Sequence, residues 1–138
     1  MPPTFTPPTE DDLRLLGERW AAIAKLADEE FDTELDQTLD SLDLLQQIID
    51  RELVNHEGLL AAGVVLGRIM AVNIEGLDWW AVQDEFGREL CLRYEETTLL
   101  VHPISMIAKR ISHNEKIDVM QLFLLTQQQV ADIADKAD

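Results

Sequence analysis

Near Val72 the spacing of apolar residues changes from a helical period to a period of two, and one type of element cannot serve both. Upstream, Leu13, Leu16, Trp20, Ile23 and Ala27 recur at steps of three and four, as do Leu35, Leu39, Leu42, Leu45 and Ile49. Downstream, Trp80 and Val82 alternate with Trp79, Ala81 and Gln83. Past Asp84-Glu85-Phe86-Gly87, Leu90, Leu92 and Tyr94 alternate with Glu89, Cys91 and Arg93. Alternation on both sides of a glycine-bearing turn reads as an antiparallel hairpin, with Gly87 supplying a positive φ angle. Helices leading into a hairpin imply an α+β chain.

Local signals place the other elements. Residues 1–9 hold Pro2, Pro3, Pro7 and Pro8, which exclude a helix or an inner strand and suggest a mobile, disordered arm. Thr9 followed by Asp12 is a variant of the capping box, so a first helix should cover about Glu10 to Asp28. Asp32 is a candidate cap for a second helix, to about Leu53, and the short joint suggests that residues 10–53 form an acidic helical hairpin. Asn55 should cap a third helix, to about Val72. Its segment Leu59 to Leu66 is apolar on every side and marks a central buried helix. Gly63 and Gly67, four apart, would let a neighbouring element come close. A turn at Glu95-Glu96 leads to a third strand over Thr97 to Val101. Pro103 opens a fourth helix, to about Ser112. Asp118 with Gln121 caps a fifth, to about Ala134. The expected architecture is a helical hairpin, a central buried helix, a three-stranded antiparallel meander and two C-terminal helices, in one domain over 10–138.

Charge narrows the partners. With 11 Lys and Arg against 27 Asp and Glu, the net charge of −16 would repel nucleic acid and anionic membranes. It is compatible with a basic protein partner, and self-association is open as well. A run of about 20 apolar residues is needed to span a bilayer, and none is present. No basic, then apolar, leader precedes the first helix, so we expect a soluble cytoplasmic protein. One cysteine, Cys91, excludes an internal disulfide or a multi-cysteine zinc site.

The series Leu66-Gly67-Arg68, Gly76-Leu77-Asp78-Trp79-Trp80, Asp84-Glu85-Phe86-Gly87-Arg88, Leu92-Arg93-Tyr94 and Pro103-Ile104-Ser105-Met106-Ile107, followed after one residue by Lys109-Arg110-Ile111, resembles a family of small uncharacterised bacterial domains. The resemblance runs from about Asn55 to Phe123, and the family often has Tyr in place of Phe86. It implies a bacterial source and an α+β core, and no activity, cofactor or catalytic residue.

The residues themselves offer few catalytic patterns. Asp32, Glu34, Asp36, Thr38, Asp40 and Asp43 match the offsets of a calcium-binding loop, but Gln37 stands where the sharp turn needs glycine. His56, His102 and His113 are neither paired at ligand spacing nor next to the cysteine, and we expect no metal and no cofactor. No Gly-x-Ser-x-Gly elbow or phosphate loop occurs. The candidate binding residues are therefore Asp78, Trp79, Trp80, Asp84, Arg88, Arg93, Tyr94 and His102 around the hairpin. Because adjacent strand residues face opposite ways, one of Trp79 and Trp80 should lie outside the core unless helices cover both faces. An exposed indole beside Arg93 and Tyr94 would form a recognition patch, since Trp, Tyr and Arg dominate binding hot spots. The sequence thus points first to a non-catalytic protein-interaction module. The alternative is a small enzyme or small-molecule binder with a cleft between the sheet and the fourth helix, lined by Asp78, Asp84, Arg93, Tyr94 and His102.

Overall fold

A computed structural model of the chain describes residues 2–136. In chain order the elements are β1 (Thr4–Thr6), α1 (Glu10–Phe31), α2 (Asp40–Asp50), α3 (His56–Asn73), β2 (Leu77–Asp84), β3 (Gly87–Tyr94), β4 (Leu100–Val101), α4 (Pro103–Ser112) and α5 (Val119–Lys136). The N-terminal helices, the central helix, the β2-β3-β4 meander and the two C-terminal helices follow the expected order. The sheet gains a fourth member, because β1 pairs antiparallel with β2 to give the order β1-β2-β3-β4. The proline-rich segment is thus not a free arm throughout. Pro3 and Pro7 bracket the Thr4-Phe5-Thr6 strand, and an edge is the position in a sheet that tolerates flanking proline.

Most helix boundaries follow from side-chain caps. Thr9 Oγ1 accepts from the Asp12 N–H at 3.1 Å, and Asp12 Oδ2 accepts from the Thr9 N–H at 2.8 Å. The helix α1 continues past Asp28 to Phe31, because Asp32 adopts a left-handed conformation whose N–H closes on Ala27 and Asp28. The helix α2 departs most from expectation, starting at Asp40 and not after Asp32. Asp36 explains the delay. Its Oδ1 accepts from the Thr38 N–H at 3.0 Å, the Thr38 hydroxyl at 2.6 Å and the Ser41 hydroxyl at 2.9 Å. Such local bonds offer the backbone an alternative to the helix. With the Gln37 amide oxygen turned to Arg68, it accepts from Nε and Nη2 at 2.8 and 2.7 Å. Asn73 Nδ2 donates to the Gln37 carbonyl at 2.8 Å, so the loop is tied to α3 at both ends of that residue.

The helix α3 is the centre of the fold. Asn55 caps it, and Ala61 to Gly67 are all buried. The helix α1 packs along α3, and α2 packs against α5 and α3. Ile23, Leu42, Leu66, Leu92, Ile107 and Phe123 belong to one buried cluster, so both N-terminal helices are part of the core. Gly63 and Gly67 admit α4 and the sheet, as their spacing suggested. A Cβ on Gly63 would sit 2.3 Å from the Pro103 carbonyl oxygen, and one on Gly67 would sit 2.6 Å from the Trp79 ring.

The β2–β3 register pairs Leu77 with Tyr94 and Asp84 with Gly87. Gly87 has φ +124°, as the turn requires. The strand β4 is shorter than expected. Thr97 is drawn into the preceding turn, where its hydroxyl donates to the Tyr94 carbonyl at 2.7 Å.

Candidate functional site

The two sheet faces are unlike. Leu77, Trp79, Leu92 and Tyr94 share the face that joins the helical core, and Trp79 lies against Gly67 of α3. Asp78, Trp80, Val82, Glu89, Cys91 and Arg93 share the other face, joined by Phe5 through its pairing with Val82. Val82 and Cys91 are buried yet stand outside the main core cluster. Above this layer the Arg93 guanidinium stacks 3.9 Å from the Phe5 ring centroid and 5.2 Å from that of Trp80. Its Nε donates to the Thr97 carbonyl at 2.8 Å, which holds the cation in place over the rings. Cation–π contacts of this kind contribute about 0.5–2 kcal/mol each.

Trp80 is therefore the tryptophan left outside the helical core, and Arg93 is its companion. Tyr94 is not, because it follows Arg93 in a strand and turns into the opposite, buried face beside Gly76. Asp78 is exposed on the face of Trp80, directly across from Arg93 in register. Asp84 lies at the other end of β2, about 20 Å away along an extended strand. Its Oδ1 accepts from the Phe86 N–H at 2.8 Å and so shapes the turn, leaving Phe86 at the tip 90% exposed. Arg88 reaches to α1 and donates to both Asp12 carboxylate oxygens, at 3.0 and 2.5 Å. This pair ties β3 to the first turn of α1. His102, between β4 and α4, has Nδ1 3.3 Å from Glu89 Oε1.

The residues Asp78, Asp84, Arg93, Tyr94 and His102 consequently do not line one cleft. A cavity of about 270 Å³ between α1, β3 and α4 does bring Arg88 and His102 together, with Asp12, Arg19 and Glu89. A second, of about 500 Å³, lies between β4, α4 and α5 and also includes His102. A third, of about 680 Å³, is formed by α2, the start of α3 and the α4–α5 connection, and none of the candidate residues lines it.

Two titrations bear on chemistry. Hydrogen bonding from Arg88 pulls Asp12 down to about 2 against the opposing effect of partial burial, with further help from the Thr9 N–H. Burial pushes the Cys91 thiol up to about 11; nearby Glu89 adds to this and Arg93 opposes it. A thiol in that state is protonated at neutral pH and is a poor nucleophile. Among the described residues no group of three or more His, Cys, Asp and Glu side chains is arranged to hold a metal ion. No helix among them is long and apolar enough to cross a membrane.

Phe5 is the site residue that sequence reasoning missed. The Thr4-Phe5-Thr6 triplet has strand-favouring composition, but the surrounding prolines masked it. Asp12 was read only as a cap, since nothing local indicates a partner 76 residues away.

The comparisons with known proteins agree with this fold and carry no activity. No curated protein matches the chain. A crystal structure from Bacteroides thetaiotaomicron VPI-5482, at 1.50 Å resolution, superposes with a TM-score of 0.81 at 16% identity. The match covers 90% of this chain and 47% of that one, so this chain spans about half the length of the solved protein. Identity this low speaks for the shared fold alone. Residues 41–123 match a family described as a domain of unknown function, and the match begins at α2, earlier than Asn55, and ends at Phe123. This chain belongs to that family of uncharacterised bacterial domains, DUF3806.

Proposed function

We propose that this domain is a non-catalytic protein-interaction module, and that it docks a basic protein surface on the sheet face carrying Phe5, Trp80 and Arg93. The observation that supports this reading is the Phe5–Arg93–Trp80 stack itself, a preorganised aromatic and cationic platform on the face away from the helical core. Large aromatic and guanidinium groups held in place lose little entropy on binding, which is why they serve as hot spots. The platform is bordered by carboxylates. Asp78 lies on the same face, with Glu85 at the hairpin tip and Glu95 and Glu96 at the following turn. A net charge of −16 adds long-range attraction for a basic partner. Both features favour a partner that presents an apolar spot ringed by Lys or Arg.

Peptides selected from a random display library on the full chain test the idea. Enrichment of Lys- and Arg-containing peptides is expected, with binding that weakens as salt is raised. In NMR spectra these peptides should shift the Trp80 indole signal and leave Trp79 unmoved. Peptides that bind Phe5→Ala and Trp80→Ala variants as tightly as the wild type would overturn the assignment. Concentration-dependent self-association mapped to the same indole would replace the basic partner with a second copy of the chain.

A further inference from the structure

Arg110 Nε is sequestered from solvent without a hydrogen-bond partner, and His102 Nδ1, equally sequestered, faces only Glu89 Oε1, at 3.3 Å. Both side chains line the cleft between β4, α4 and α5. This cleft is at the opposite edge of the sheet from β1, and is separate from the Phe5–Trp80 platform. Lys109 and His113 line it as well, so a strongly acidic chain has gathered four basic side chains there, against one carboxylate, Glu115. Arg110 meets that carboxylate only at 3.9 Å, the outer limit of an ion pair. Most of the guanidinium's five donors are thus left for another acceptor.

The end of α4 accounts for part of this cluster, since Lys109 and Arg110 in the last turn complement the negative end of the helix. It does not account for His102, which sits at the opposite end of α4, or for the floor of the cleft. Met106, Leu122 and Leu125 supply apolar surface between the basic groups, and Leu125 is half exposed to solvent. A helix of this length spans about 15 Å, so the groove is long as well as apolar.

We propose that this cleft binds a small oxyanion, a carboxylate or a phosphate, carried on an elongated apolar body, with the head group held by Arg110 and Lys109. The guanidinium fork matches either oxyanion with two parallel hydrogen bonds. The volume of about 500 Å³ accommodates a small ligand. The overall charge decides against polyanions, because every added negative charge works against the field of the whole chain. The apolar body is what offsets that repulsion, through burial on Met106 and Leu122.

Calorimetry on the full chain with octanoate, octyl phosphate and uncharged 1-octanol tests the proposal. One or both anions should bind saturably at one site, about tenfold or more tightly than the alcohol. The tighter anion identifies the head group. Lys109→Gln with Arg110→Gln should weaken the anion by about tenfold and leave the alcohol unchanged. Leu125→Glu, at an exposed position that keeps folding intact, should weaken the anion as well. Absence of saturable binding of both anions, equal affinity for anion and alcohol, or wild-type affinity in the double variant would each overturn it. None of these outcomes bears on the sheet platform, whose variants lie on β1 and β2, away from β4.

Discussion

Asp12 combines the cap of α1 with the tether to the hairpin, and its titration records both. Its folded carboxyl titrates near 2, below the ordinary value of 3.8, so the stabilisation is complete above pH 4 and is lost as pH falls from about 4 to 2. Arg88→Ala should lower the urea midpoint slightly at pH 6 and flatten that acid limb, so that variant and wild type converge at pH 2.5. Cys91 titrates the other way. Its folded thiol is raised to about 11, so the associated stability is present below pH 9 and is lost as pH rises through 11. Iodoacetamide at pH 8 should label Cys91 slowly in the native chain and rapidly in urea. Rapid native labelling would show that the Phe5–Trp80–Arg93 layer opens readily.

Two elements meet at glycines, and that junction can be tested directly. Gly67→Ala would push a methyl group to 2.6 Å from the Trp79 ring and 2.7 Å from Pro103 Cγ. Overpacking of this kind costs about 1–3 kcal/mol, readable as a lowered urea midpoint. Gly63→Ala should cost more, because the obstacles are backbone atoms of Pro103 and Ile104 that cannot rotate away. This contact was legible in sequence as two glycines four apart on an apolar helix, although the partner was not. The start of α3 at Asn55, the β2–β3 turn and the start of α4 at Pro103 were legible for the same reason, as each depends on residues within one turn of the chain. The start of α2 was not, because Asp36, Thr38 and Ser41 compete with the helix for the same backbone groups, and the loop that results is held by Arg68 and Asn73 from α3. Gln46 is a similar case. Its amide donates to the Ile117 carbonyl and accepts from the Val119 N–H, both at 2.9 Å, joining α2 to the start of α5 across 71 and 73 residues.

At the scale of the molecule, the family match starts at residue 41, but the fold does not. Ile23 and Ala27 of α1 are buried in the shared cluster, and Trp20 packs against it while Arg68 stacks 4.5 Å above its ring. A chain beginning at Ser41 would expose the α1-facing side of α3, and should lose cooperative thermal unfolding by circular dichroism while the full chain retains it. Self-repulsion at a net charge of −16 should also make the midpoint rise as salt is added from low ionic strength.

What the sequence determined alone was whatever depends on neighbours along the chain. Periodicity set the helical and extended segments, side-chain caps and proline set where most of them begin, and composition set the net charge of −16. The tertiary structure decided everything that needs two distant segments to meet. It recruited Phe5 to the sheet edge and turned Tyr94 away from Trp80. It sent Arg88 to Asp12 and gathered His102, Lys109 and Arg110 around one cleft. The physical reason is that a strand or helix carries its own backbone geometry, whereas a site is a coincidence of faces, and faces acquire neighbours only when the apolar surfaces on their other sides have found a common core.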